Sequence, residues 1–169
     1  DGFADLIIGA KYADTNGDNS GESYGRFGKS GGFDSTVELS SLDCINGFTL
    51  NGSDKREESS AAADRDKKQN GDGFADLIIG AKYADTNGDN SGESYVLFGK
   101  SGGFDSTVEL SSLDGSNGFT LNGIDEDDYS GESVSSAGDV NGDGFADLII
   151  GAKYADPNGD NSGESYVLF

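Results

Sequence analysis

The stretch DGFADLIIGAKYADTNGDNSGESY, Asp1 to Tyr24, recurs unchanged from Asp72 to Tyr95 and again from Asp143 to Tyr166, where Pro157 alone replaces Thr86. The offset is 71 residues both times, with no insertion or deletion. A unit kept at fixed period is one supersecondary element that buries its apolar face against its own copies, as in a propeller, solenoid or array. At this period the chain of 169 residues divides into 1–71, 72–142 and a partial third unit, 143–169. So few units are expected to form part of something larger, and both ends read as cut or processed.

The punctuation within a unit is that of an all-β fold: short apolar runs separated by Gly, Asn, Asp and Ser clusters. Four antiparallel strands are expected in the unit that begins at Asp72. They are Glu132 to Val140, with Val134 and Val140 inward; Ala75 to Ala81; Ser94 to Phe98; and a fourth at either Thr107 to Leu110 or Phe119 to Leu121, with 111–118 as loop. Four strands in a unit of this size match a β-propeller blade, whereas the coils of a parallel β-helix are usually much shorter.

The balance of 32 acidic against 11 basic residues leaves a formal charge of −21, which repels nucleic-acid phosphates and anionic lipid and attracts cations. No apolar run approaches the roughly 20 residues of a membrane-spanning helix. The 17 aromatic residues, set at fixed places in each copy, argue for an ordered, turn-rich fold despite 28 glycines. Cys44 has no partner for an internal disulfide, and Gly115 stands at its counterpart.

Oxygen-bearing side chains alternate through Asp139, Asn141, Asp143 and Asp147, a glycine at 142 and another at 144 allow a tight turn, and the Phe145 carbonyl falls between Asp143 and Asp147. Calcium takes about six to eight oxygen ligands, and this spacing wraps the chain around such a hard cation. An EF-hand would require a bidentate Glu where Ile150 stands, and GFADLIIGA reads as a strand instead of an exiting helix. The loop therefore belongs to a β-hairpin.

The loop Asp139 to Asp147, the Leu148-Ile149-Ile150-Gly151-Ala152 that follows it, and Ser94-Tyr95-Val96-Leu97-Phe98-Gly99 in the preceding copy resemble the FG-GAP repeat of integrin α-subunit propellers and their bacterial relatives. The resemblance covers nearly the whole chain. It implies a seven-bladed propeller with calcium in hairpin loops of some blades, ligated here by Asp139, Asn141, Asp143, Asp147 and the Phe145 carbonyl. Lys153 departs from the pattern, since many members carry proline after Gly-Ala.

In the second copy Asn70, Asp72, Phe74 and Asp76 remain, but Lys68 replaces Asp139, so weak binding or none is expected. In the first, Asp1 and Asp5 survive. A further loop, Asp156, Asn158, Asp160, Ser162 and Glu164, repeated at Asp14 to Glu22 and Asp85 to Glu93, is either a second calcium site or an Asn-Gly turn joining two strands.

Residues 53–69 align without a gap to 124–140, yet only Asp54 and Ser59 match. Ile124, Tyr129, Val134 and Val140 become Ser53, Glu58, Ala63 and Gln69, so a looser strand, a loop or a short helical turn is expected there.

These features point to a calcium-binding, non-enzymatic module with a structural, adhesion or assembly role at the cell surface or outside the cell. Its partner would be a protein or glycan ligand, or another copy of itself. The alternative is a lectin-like propeller in which Tyr83, Tyr95, Tyr154 or Tyr166 stack on sugars. The chain has no histidine, no serine has an evident base, and the acidic run Asp125 to Asp128 reads as a solvated loop.

Overall fold

In a computed structural model, residues 3–54, 58–63 and 70–169 are described. They form eleven strands, β1 (Leu6–Ala10), β2 (Glu22–Arg26), β3 (Gly47–Asn51), β4 (Ser60–Ala63), β5 (Leu77–Ala81), β6 (Glu93–Leu97), β7 (Thr107–Glu109), β8 (Gly118–Asn122), β9 (Ser130–Gly138), β10 (Asp147–Ala152) and β11 (Glu164–Leu168). The fold is all-β, and no α-helix occurs among the described residues.

The strands make three sheets, ordered β1-β2-β3-β7, β4-β5-β6-β8 and β9-β10-β11. Within each sheet the strands carried by the repeat pair antiparallel and in equivalent register, for example Ile79 with Tyr95 and Ile150 with Tyr166. The second and third sheets each take their leading strand from the tail of the preceding unit, β4 and β9 respectively. The architecture is that of a partial β-propeller.

Apolar side chains on alternate positions of the sheets form two cores. One gathers Phe48 and Leu50 with Ile79, Ala81, Tyr95, Leu97 and Leu110. The other gathers Ile78 and Val96 with Leu148 and Ile150, with Val134 and Phe119 packed on it. The middle sheet is covered on both faces, so β6 is buried at every position, the polar Glu93 and Ser94 included.

The expected strands form, with informative shifts. The first runs from Ser130 and ends at Gly138, and Val140, expected inward, is 61% exposed. Gly138 adopts φ 77°, which ends the strand, and the Val140 N–H is drawn to the Asp147 carboxylate. Both candidates for the fourth strand are strands. Gly118–Asn122 is the outer strand of its own blade, whereas Thr107–Glu109 crosses to the neighbouring sheet and pairs parallel with β3. In the divergent window Ser60–Ala63 is a strand on β5, and residues 55–57 and 64–69 lie outside the described residues.

Candidate metal centre

The loop between β9 and β10 is wound by its own side chains. Asp139 accepts the N–H groups of Gly142 (2.7 Å) and Asp143 (3.0 Å) on Oδ1 and that of Gly144 (3.0 Å) on Oδ2. Asn141 Oδ1 accepts from the Asp143 N–H at 2.9 Å while its Nδ2 donates to Asp143 Oδ2, and Asp143 Oδ1 accepts from the Phe145 N–H at 2.8 Å. These are Asx turns, short polar side chains standing in for backbone acceptors. Gly142 and Gly144, at φ 81° and 93°, supply the left-handed residues that bring the chain round.

Asp147 closes the loop from the first position of β10. Its carboxylate is 1% exposed, with Oδ2 accepting from the Val140 N–H at 2.6 Å and Oδ1 buried without a protein partner. The equivalent residues show a second duty of this position. Asp5 Oδ1 accepts from the Gly28 N–H (2.9 Å) and Asp76 Oδ1 from the Gly99 N–H (2.8 Å), each 23 residues further on.

The donor set fits a hard cation. Three carboxylates, one amide oxygen and a free carbonyl lie within nine residues that contain no basic side chain. In the conformation seen, both Asp139 oxygens, Asn141 Oδ1, Asp143 Oδ1 and Asp147 Oδ2 accept from backbone N–H groups, and among the described residues no three acidic side chains gather at one point. Asp139, Asp143 and Asp147 would hold the ion with Asn141 and the Phe145 carbonyl.

The second copy keeps the same winding. Asn70 Oδ1 accepts from the Asp72 N–H at 3.0 Å, and Asp72 Oδ1 accepts from the Phe74 N–H at 2.8 Å. Lys68, which stands where the complete loop has Asp139, lies outside the described residues, as does Asp1.

The loop from Asp156 to Glu164 has the geometry of a turn. Asp14 and Asp85 each accept the N–H five residues on, at 2.7 and 2.8 Å, as does Asp156, which leaves Asn19, Asn90 and Asn161 at positive φ. The Asn158 N–H donates to Ser162 Oγ at 3.2 Å, and Glu164 accepts from the Tyr166 hydroxyl at 2.8 Å. Asp160 is exposed. Asn16 and Asn87, the counterparts of Asn158, donate at 2.7 Å to the carbonyls of Gly52 and Gly123, tying this turn to the end of the outer strand.

The tyrosines divide into two kinds. Tyr95 is 2% exposed, in the core, with its hydroxyl against Ser53 Oγ at 2.8 Å. Tyr83, Tyr129 and Tyr154 form an edge-to-face ladder with centroids 5.4 and 5.1 Å apart, capped by Lys82 over Tyr83 and Lys153 over Tyr154. The Lys-Tyr pair repeated at fixed period marks the two ends of this ladder, and its middle, Tyr129, stands where the preceding unit has Glu58. In the acidic run Asp125, Glu126 and Asp127 are exposed, as a solvated loop requires, but Asp128 is buried, and that burial foremost pushes its carboxyl above the ordinary carboxylate range. Cys44 is free and exposed.

Comparison with known proteins agrees with this architecture. The FG-GAP repeat family model matches residues 70–97 and 130–168. Integrin alpha-6 of Gallus gallus is 32% identical over 99 residues, covering 58% of this chain and 8% of that protein. Integrin alpha-6 of Homo sapiens is 34% identical over 88 residues, covering 52% of this chain and 7% of that protein. The chain thus spans less than a tenth of the length of these curated relatives.

Proposed function

We infer that this chain, which carries FG-GAP repeats, is a calcium-binding, non-enzymatic propeller module serving adhesion or assembly at the cell surface or outside the cell. The observation that carries the reading is the hairpin loop at Asp139 to Asp147, with alternating oxygens and a buried Asp147 at the head of β10. Calcium there would join the end of β9 to the start of β10 and offset part of the charge of −21. Its partners would be protein or glycan ligands, or further copies of the chain. The repeat units 1–71, 72–142 and 143–169 would each contribute to successive blades.

Titration with calcium by calorimetry, paired with thermal unfolding, tests this. One site per chain is expected, with stability gained on binding and lost on chelation. Asp143→Ala should abolish both heat and stabilisation, while Asp72→Ala, in the degenerate loop, should change neither. Absence of binding would reduce the loop to a turn and remove the calcium reading.

A further inference from the structure

The sequence Asn-Gly-Asp-Gly-Phe-Ala-Asp stands at 70–76 and again at 141–147, and the two copies prepare one chemical step to different extents. An asparagine followed by glycine can lose its amide without an enzyme. The glycine main-chain nitrogen attacks the side-chain Cγ, and the new N–Cγ bond closes a cyclic succinimide. The Cγ–Nδ2 bond breaks, and ammonia leaves with the proton given up by the glycine N–H. Water then opens the ring at one carbonyl or the other, leaving aspartate or isoaspartate. Glycine permits the attack because no Cβ crowds its nitrogen.

The electrophile is set up alike in both copies. Asn70 Oδ1 accepts from the Asp72 N–H at 3.0 Å and Asn141 Oδ1 from the Asp143 N–H at 2.9 Å, so a donor is in place for the charge that grows on each oxygen. Each Nδ2 donates to the same carboxylate, at 3.0 Å to Asp72 and 2.9 Å to Asp143. The nucleophile differs. The Gly142 N–H donates to Asp139 Oδ1 at 2.7 Å, a charge-assisted bond that must break before the nitrogen can react, and the carboxylate opposes negative charge there. At Asn46, Asn51 and Asn122, also followed by glycine, a main-chain carbonyl holds the N–H, at 2.9 Å for Gly47, 3.0 Å for Gly52 and 2.7 Å for Gly123. Lys68 stands at the counterpart of Asp139, and an ammonium has donors only. The Gly71 N–H therefore lacks that carboxylate, and among the described residues nothing accepts from it. Lys67 and Lys68 instead place positive charge close by in the chain, which favours an anionic transition state. Asn70 and Gly71 are both exposed, so water reaches the ring.

We propose that Asn70 is a site of spontaneous deamidation and that Asn141, in the intact copy of the loop, is spared. The aspartate product adds a carboxylate beside Asp72 and Asp76. The isoaspartate product inserts one carbon into the main chain just before Gly71, where space is short: a Cβ built on Gly71 would stand 2.6 Å from Phe145 Cε1. Deamidation thus changes the charge of one loop and presses on its neighbour. The inference rests on the hydrogen bonds of the two loops and not on the calcium reading.

The test follows the whole chain by peptide mass spectrometry during storage at neutral pH and physiological temperature, with chelator present so that no metal shields Asp139. Asn70 should exchange NH2 for OH at least about ten-fold faster than Asn141, the factor that one charge-assisted hydrogen bond corresponds to. Lys68→Asp, which restores the carboxylate, should slow Asn70 to about the rate of Asn141, and Asp139→Ala should speed Asn141 toward that of Asn70. Synthetic peptides Gln-Asn-Gly-Asp-Gly-Phe and Val-Asn-Gly-Asp-Gly-Phe should react at similar rates. Equal rates at Asn70 and Asn141 in the folded chain, or an Asn70 as fast in Lys68→Asp as before, would overturn the proposal. So would peptides that reproduce the difference, since it would then belong to sequence alone.

Discussion

Leu6–Ala10 and Leu77–Ala81 are the same five residues, LIIGA, in the same kind of strand, yet Ile8 is 38% exposed and Ile79 is fully buried. Intrinsic propensity and pattern are identical, so the difference belongs to the neighbours. β5 lies between two sheets, while β1 sits in a sheet covered on one face by the described residues. The repeat thus contains its own controls, because one substitution made at two equivalent positions reports what a neighbouring blade contributes.

The largest contrast is expected at that pair. Ile79→Ala should destabilise by about 2–5 kcal/mol, through lost transfer energy and the cavity left behind, and Ile8→Ala by under about 1 kcal/mol. Chemical denaturation of both variants checks this, and equal losses would mean that β1 is covered in solution. Next is the turn after β7, Leu110–Ser112. Leu110→Ala should cost about 2–3 kcal/mol, against about 1 kcal/mol or less for Leu39→Ala in the chemically identical but less buried turn. A smaller difference is expected for Glu109→Gln, which weakens the hydrogen bonds from Asn16 and Asn51 by about 1 kcal/mol, whereas Glu38→Gln, at an exposed site, should be neutral.

The smallest effect is one of titration. Tyr24 is pushed up to about 12, chiefly because its hydroxyl donates to Glu22, with burial second. The folded state favours the neutral phenol, so this contribution is fully present below the ordinary value of 10.0 and is lost as pH rises through about 12. Ultraviolet titration should show one tyrosine step near 12 that Tyr24→Phe removes. Tyr166 also shifts upward, with burial now the leading cause and Glu164 the second, so the same pair of residues titrates differently in a different blade.

The features readable in the sequence were those whose cause is local. Alternation of oxygens located the loop at Asp139 to Asp147, and the runs LIIGA and SYVLF located β5 and β6, the two central strands of the middle sheet. What escaped was set by distant partners. A strand at Thr107 is one of the two candidates the sequence offers, but its parallel partner in the neighbouring sheet, Thr49–Asn51, is not written there, and the identical Thr36 to Glu38 forms no strand. Val140 was placed inward because it continues an apolar alternation, but the pull of Asp147 on its N–H outweighs one side chain's burial. At the site, the spacing named the oxygens and not their present occupants, since turning Asp139 onto three backbone N–H groups is a property of the folded loop.

The leading strand of each later sheet belongs to the unit before it, so neighbouring blades overlap like roof tiles. The unit of sequence and the unit of folding are therefore out of step. A cut at a repeat boundary, such as after Gly71, would fall between β4 and β5 and leave the later blade's first strand on the far side of the break, held to it by main-chain pairing.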